Sequence, residues 1–402
     1  MDRKLADLID SISITHKFDK EELIFLNTSD ILEGKILSKN YFKVSDLKGQ
    51  AKKTIKFDDI LFSEIRPKNK RYAYVNIHLT NDYVVSTKLM VLRNKTTDVL
   101  TKYIYYFLTY DGTLDYLQMR AENRIGSFPQ ITFDILKPIS LNIPSLKQQQ
   151  EIVSVISNID YKIDLNNQIN DNLERMAKTL YDYWFVQFDF PDENGKPYKS
   201  SGGKMIWNEV LKREIPVGWE AKTLVEIANI TMGQSPSGES FNESQEGMIF
   251  FQGSTDFGWR YPENRIFTNA PTRYAFEDDI LLSVRAPIGA INIALSNCCI
   301  GRGLAAINSK EGFNSFLIYQ MNNFKKKFDY LNSVGTTFGS LTKDELHNLE
   351  LACPQINILQ KFEAKVQILD KKIKKNTQQN QQLSSLRDWL LPMLMNGQVK
   401  VE

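Results

Sequence analysis

Ile152, Ile156, Ile159, Ile163, Asn166, Asn170, Leu173, Ala177, Leu180 and Trp184 follow one another at alternating steps of four and three. The alternation recurs 210 residues later through Phe362, Val366, Leu369, Ile373, Asn376, Asn380, Leu383, Arg387, Leu390 and Leu394. Apolar positions spaced in this way over so long a stretch predict the seam of a coiled coil. Two long helices that need each other are therefore expected, and the equal interval predicts that what precedes each helix is repeated as well.

Asn in an apolar seam costs stability and is kept where it fixes register or partner choice, which assigns Asn166, Asn170, Asn376 and Asn380 to coiled-coil register. In an antiparallel pair centred on Gln168 and Gln378, Asn166 meets Asn380 and Asn170 meets Asn376, because both pairs sum to 546. The same sum sets Ile163 by Leu383, Leu173 by Ile373, Ile156 by Leu390 and Trp184 by Phe362. It leaves Arg387 facing Ile159, with the guanidinium snorkelling outward along its stem. A parallel pairing also matches Asn with Asn, so periodicity leaves the direction open. The competing reading is two separate amphipathic helices, each lying on its own domain.

The repeat extends upstream of each helix. Residues 58–63 read DDILFS and residues 278–283 read DDILLS, followed by Pro67 and Pro287 at the same interval of 220. IFLNTSD at 24–30 echoes IFFQGSTD at 249–256, and DYL recurs at 115 and 329. The drift of the interval from 225 to 210 is what loop insertions produce around a shared core. The chain reads as a tandem duplication of one globular unit followed by one long helix.

Inside each unit the short runs Ile60–Ile65, Tyr83–Ser86, Lys88–Leu92, Ile280–Val284 and Ile288–Leu295 predict strands, with a helix expected at 97–109 and at 312–330. The fold class expected is α+β, with two strand-rich tandem domains and two long helices. The boundaries are 1–145 and 215–352 for the globular units, 146–188 and 353–398 for the helices, and 189–214 for a linker or ordered crossing loop rich in Gly, Pro, Ser and Lys.

A chain of 402 residues with 42% hydrophobic content is long enough for two or three cored domains. No apolar run has the length of a membrane span, and Met1 to Ile12 alternate charged with apolar residues, unlike a secretion signal. Three cysteines (Cys298, Cys299, Cys353) and three scattered histidines make neither a disulfide framework nor a metal-ligand spacing, so a reducing cytoplasmic setting is expected.

Charge is uneven. Lys and Arg outnumber Asp and Glu by 22 to 18 over residues 1–145, whereas acids lead by 15 to 11 over 215–350. Eight bases against three acids fall between Lys48 and Arg71, just ahead of Tyr72 and Tyr74, a composition that suits phosphate as well as an ordinary solvated surface. Known catalytic and phosphate-binding patterns are missing, so no cofactor and no metal are expected. Pro191, Asp192, Glu193 and Lys196 mimic a nuclease set but sit in linker composition.

The order unit, helix, unit, helix, together with Ile215-Pro216-Val217-Gly218-Trp219-Glu220 opening the second unit and the two DDIL-Ser-Pro segments, resembles the specificity subunit of Type I restriction-modification enzymes. Trp184-Phe185-Val186, GKPYKSSGGKM at 195–205, IPSLKQQQEI at 143–152 and Leu390-Leu391-Pro392-Met393-Leu394 with Asn396-Gly397 add to the likeness, which covers essentially the whole chain. The resemblance implies that each globular unit is a target recognition domain reading one half of a bipartite, gapped site in double-stranded DNA. It implies that the paired helices, antiparallel, set the gap and dock the methyltransferase subunits, two of them, with restriction subunits joining through the complex. The chain itself is then non-catalytic, within an adenine-specific methyltransferase and site-specific deoxyribonuclease assembly. Residues 152–184 number 33 and span about 50 Å, against about 34–36 Å between half-sites one turn apart. The alternative is a coiled-coil scaffold, or a specificity module of another phage-defence or restriction assembly.

Candidate DNA contacts follow from the loops after the DDIL segments: Ser63, Arg66, Lys68, Lys70 and Arg71 in the first unit, Arg285 in the second. Arg120, Asn123 and Arg124, with Thr336 and Thr337 at the aligned place, come next, since Arg, Asn and Thr pair with base edges while Lys neutralises phosphate. Asp58, Asp59, Asp278 and Asp279 are expected to cap or turn the backbone.

Overall fold

Both long helices form where the seam predicts them. In the computed structural model, which describes residues 2–47, 49–123, 129–334 and 340–399, they run Leu146–Tyr181 and Ile356–Met395. A π-type turn, Asp182–Val186, extends the first. The first contains no Gly or Pro, and the second has only Pro392, close to its end, so the backbone ladder is unbroken along the seam. The chain divides into two compact units, and the division falls inside both helices: Met1–Leu165 with Gln379–Glu402 make one, Asn166–Gln378 the other.

In the first unit an antiparallel sheet orders Ile9–Ile12, Leu89–Asn94, Ile60–Ser63 and Tyr72–Tyr74. Its strand Ile60–Ser63 is buried at every position, which explains why Ile60, Leu61 and Phe62 form a continuous apolar run instead of alternating with polar residues. A second sheet orders Tyr41–Lys43, Glu22–Leu26, Tyr83–Ser86 and Ala51–Lys53, with Tyr83–Ser86 parallel to Glu22–Leu26. Asp2–Lys4 pairs with Ser140–Asn142, and the helices Thr101–Thr109 and Asp111–Glu122 cover the first sheet's core.

The second unit repeats this plan. Ala228–Met232, Leu304–Ser309, Ile280–Ser283 and Ile291–Ile293 form the antiparallel sheet in the matching order. A five-stranded sheet again contains one parallel pair, Met248–Phe251 with Cys298–Ile300. Glu220–Thr223 pairs with Glu350–Cys353. The helix expected over 312–330 is two, Asn314–Asn323 and Lys325–Val334, and the strand expected from Ile288 is shorter, Ile291–Ile293.

Within each unit the two helical segments run antiparallel. In the second, the Trp184 and Phe362 rings lie 5.8 Å apart and Asn376 Nδ2 donates to Asn170 Oδ1 at 2.9 Å. In the first, Ile152 and Ile156 share a core with Leu391, Leu394 and Met395, while Arg387 reaches Asp160. Periodicity had left that direction open. Asn166 and Asn170 are buried, as is Asn376. Asn166 and Asn380 fall on opposite sides of the division between the units.

The segment 189–214 is ordered. Met205–Asn208 pairs with Arg213–Pro216, and Asp189 accepts from the Ser200 amide at 2.7 Å and its hydroxyl at 2.6 Å. Asp192 receives the amides of Asn194 and Lys196, both at 2.8 Å, so the nuclease-like quartet is a turn.

Candidate nucleic-acid interface

The two DDIL segments hold their turns alike. Asp58 and Asp278 adopt left-handed φ of 71° and 68°. Asp59 accepts from the Lys56 amide at 2.6 Å, and Asp279 from the Phe276 amide at 2.8 Å, so these acids turn the backbone as expected. Their second partners differ. Asp59 takes a bidentate bond from Arg93, both contacts at 2.7 Å, whereas Asp279 accepts from the neutral Asn308 amide at 2.9 Å. Burial consequently pushes the Asp279 carboxyl above its ordinary range, against the pull of those donors.

After each strand the chain is pinned to the same distant segment. Ile65 bridges to Gln130 and Ile131 donates to Glu64; Arg285 bridges to Ser340 and Leu341 donates to Val284. In the first unit Arg66 takes a left-handed φ of 43° ahead of Pro67 and is exposed, and its guanidinium has no partner among the described residues. Lys68 and Lys70 pair with Asp115 at 2.9 Å and Asp111 at 3.2 Å, which lays the loop along the helix Asp111–Glu122. Arg120 and Asn123 are exposed at that helix's end. Arg66, Lys68, Lys70, Arg120 and Asn123 thus belong to one loop and the helix beside it. Arg285 is exposed at the matching place in the second unit, just before the cis Ala286–Pro287 bond.

Three expectations change. Ser63 is buried, with its hydroxyl bonded to the Ile65 backbone, so it shapes the turn and offers nothing to solvent. Arg71 spends its guanidinium on the Ser29 and Ile31 carbonyls at 3.1 and 3.0 Å. Tyr72 is buried and Tyr74 donates to Asp58, so neither presents a free ring. Arg124, Thr336 and Thr337 lie outside the described residues.

Nothing local in the sequence marks how each globular domain is anchored to its helices. In the second unit Arg260 is buried and pairs with Glu174 on the first long helix and Asp370 on the second. Burial drags its guanidinium down, and Asp370 with Tyr319 and Tyr261 more than restores it. Glu363 receives the Ser315 amide at 3.2 Å and hydroxyl at 2.9 Å at the start of helix Asn314–Asn323, and burial lifts its carboxyl above the ordinary range. In the first unit Tyr106 donates to Asp160 at 2.9 Å, and Arg387 reaches the same carboxylate at 3.1 Å. Arg387 therefore does not merely snorkel. Asp160 and Asp370 are 210 residues apart, so the same seat in the repeat receives an arginine from the helix in one unit and from the globular domain in the other.

A family model described as the Type I restriction modification DNA specificity domain matches residues 1–175 and 216–385. The chain belongs to this family. It is thus a specificity subunit, whose work is DNA sequence recognition. Similar curated proteins are the Type I restriction enzyme HindI specificity subunit of Haemophilus influenzae, 31% identical over 97% of each chain. A second is the putative MjaX specificity subunit of Methanocaldococcus jannaschii, 28% identical over 100% of this chain and 93% of that one. The crystal structure of the Type I S subunit from M. genitalium shares the fold, with a TM-score of 0.56 at 17% identity over 98% of this chain and 96% of that one. Among the described residues no acidic, Cys or His group is placed to hold a metal, and no helix is long and apolar enough to cross a membrane.

Proposed function

We propose that each globular domain of this specificity subunit reads one half of a bipartite, gapped duplex site. The long helices form an antiparallel coiled-coil spacer that sets the gap and docks two methyltransferase subunits in the cytoplasm, with restriction subunits joining through them. The observation that carries this reading is the repeat itself: one sheet plan and one anchored seat, each joined to its own stretch of both long helices. Different side chains on the same scaffold then read different half-sites. Arg66, Arg120 and Asn123 in the first domain and Arg285 in the second are the base-edge candidates, while Lys68 and Lys70 neutralise phosphate. Arg124, Thr336 and Thr337 complete the candidate set. The chain supplies no chemistry and leaves adenine methylation and cleavage to its partners.

A net charge of +2 is small for a protein that grips DNA alone, so partner subunits supply much of the embrace. Fluorescence anisotropy with the chain alone should give weak, salt-sensitive binding, and adding methyltransferase should give sequence-specific binding. Equal, sequence-blind affinity in the two cases would overturn the proposal. Profiling of methylated adenines in cells expressing the complex then gives the target and its gap.

A further inference from the structure

The second unit carries a face that the reading of DNA leaves unused. On the second long helix, the residues one position after the seam, Glu363, Asp370 and Lys374, engage the globular domain. The residues one position before the seam point about 100° the other way from it, since each residue turns a helix by that angle. They are Lys361, Lys365, Ile368, Lys372 and Lys375, all exposed, with Ile368 at 68%. Among the described residues none of these four lysines has an ion-pair partner. On the first long helix the matching positions include Met176, 58% exposed, and Tyr183. The register fixed by Asn170 with Asn376 sets Met176 opposite position 370, two residues along the helix from Ile368. The face therefore has an apolar centre, Met176 and Ile368, bordered by four uncompensated positive charges.

We infer that this face docks an acidic amphipathic helix of the methyltransferase subunit, a proposal that rests on the docking reading above. Charge selects the occupant. Lys361, Lys365, Lys372 and Lys375, at steps of four, seven and three, match carboxylates at the same spacing on a partner helix, whose apolar stripe covers Ile368 and Met176. Duplex DNA offers phosphates for the lysines but nothing apolar for a wide-open Ile368, and the face lies away from the side of the helix that holds the recognition domain. The first unit presents an equivalent face with other chemistry. There Leu386 and Trp389, 43% and 57% exposed, stand beside Gln379 and Gln382, and the matching positions on the first helix carry one acid and one base, Glu151 and Lys162. The two docking faces thus share an apolar centre and differ in charge, so two copies of one partner are held with unequal sensitivity to salt.

Mass photometry of the full chain with its cognate methyltransferase subunit, across a rising KCl series, tests this. The wild type should carry two partners at low salt and one at higher salt. A variant with K361E, K365E, K372E and K375E should hold one partner throughout, the second weakened at least about tenfold, and the matching Lys→Gln variant should fall between. Melting of the free variants should match the wild type, because the lysines are exposed and unpaired. Loss of both partners along a single salt curve, or retention of both by the charge-reversed variant, overturns the inference. Retention of both with weakened duplex binding assigns the lysines to nucleic acid and equally overturns it. A wild type that takes up no methyltransferase at low salt sinks the docking reading itself.

Discussion

Asn376 donates its side-chain amide to Asn170 at 2.9 Å inside the apolar seam of the second unit. Each satisfies the other in a buried place, so replacing one strands its partner. Asn170→Leu should destabilise this unit by about 1–3 kcal/mol, and the double change with Asn376→Leu should recover most of that loss. A double-mutant cycle in urea, read by hydrogen exchange over the second unit, checks the coupling. Replacing Asn166 and Asn380 as well should keep or raise helix stability while loosening register and DNA specificity; unchanged specificity removes the register role.

Arg260 holds two carboxylates that are otherwise unneutralised. Arg260→Leu should cost the second unit about 3–5 kcal/mol, because it leaves the Glu174 and Asp370 charges partly buried and facing the neutral hydroxyls of Tyr319 and Ser315. Arg387 and Asp160 are each about one-third exposed, so Arg387→Leu should cost the first unit only about 1 kcal/mol. Equal losses in the two units by hydrogen exchange contradict the difference in burial.

The repeated aspartates are expected to behave differently. Asp59→Asn breaks a bidentate pair with Arg93 and should cost about 2–4 kcal/mol. Asp279 faces no cation among the described residues, so Asp279→Asn should change stability by less than about 1 kcal/mol. Comparable losses in denaturant unfolding would mean that the neutral Asn308 contact does as much as the arginine.

Asp279 and Glu363 also set a pH dependence. Burial raises both carboxyls in the folded state, so the folded chain binds those protons more readily than the unfolded one. Their contribution is therefore fully favourable below the unfolded carboxylate range and is lost as pH rises through the raised folded values. Relative to the Asp279→Asn and Glu363→Gln variants, the wild-type second unit should gain stability as pH falls from neutrality toward about 4.5. A constant difference in melting temperature across that window removes the effect.

The long helices and the duplicated plan were legible because they rest on periodicity and on a repeated buried strand, DDIL, whose apolar run cannot sit at a surface. Direction was not legible, since an Asn pair near the centre of each seam matches in either sense. Arg260 escaped notice because nothing local marks it: its two carboxylates lie on two helices, 86 residues before it in sequence and 110 after. Ser63 and Arg71 misled because a hydroxyl or guanidinium in a loop looks available until its backbone partners are known. The lysine row was in the sequence throughout, displaced by one position from the seam, and took meaning only once the neighbouring side of the helix proved occupied.

The first unit is assembled from both ends of the chain, with Leu391, Leu394 and Met395 packed into a core that also holds Leu5, Leu141 and Ile156. The second is one unbroken stretch, Asn166–Gln378. During synthesis the second unit has all its residues before the first does, although the first begins to emerge earlier. The opening domain must wait, with part of its apolar surface uncovered, for the last turns of the second helix to leave the ribosome. A stop codon after Gln378 is therefore expected to expose the first domain to proteolysis and aggregation while sparing the second, so that damage downstream of the second domain is felt upstream of it.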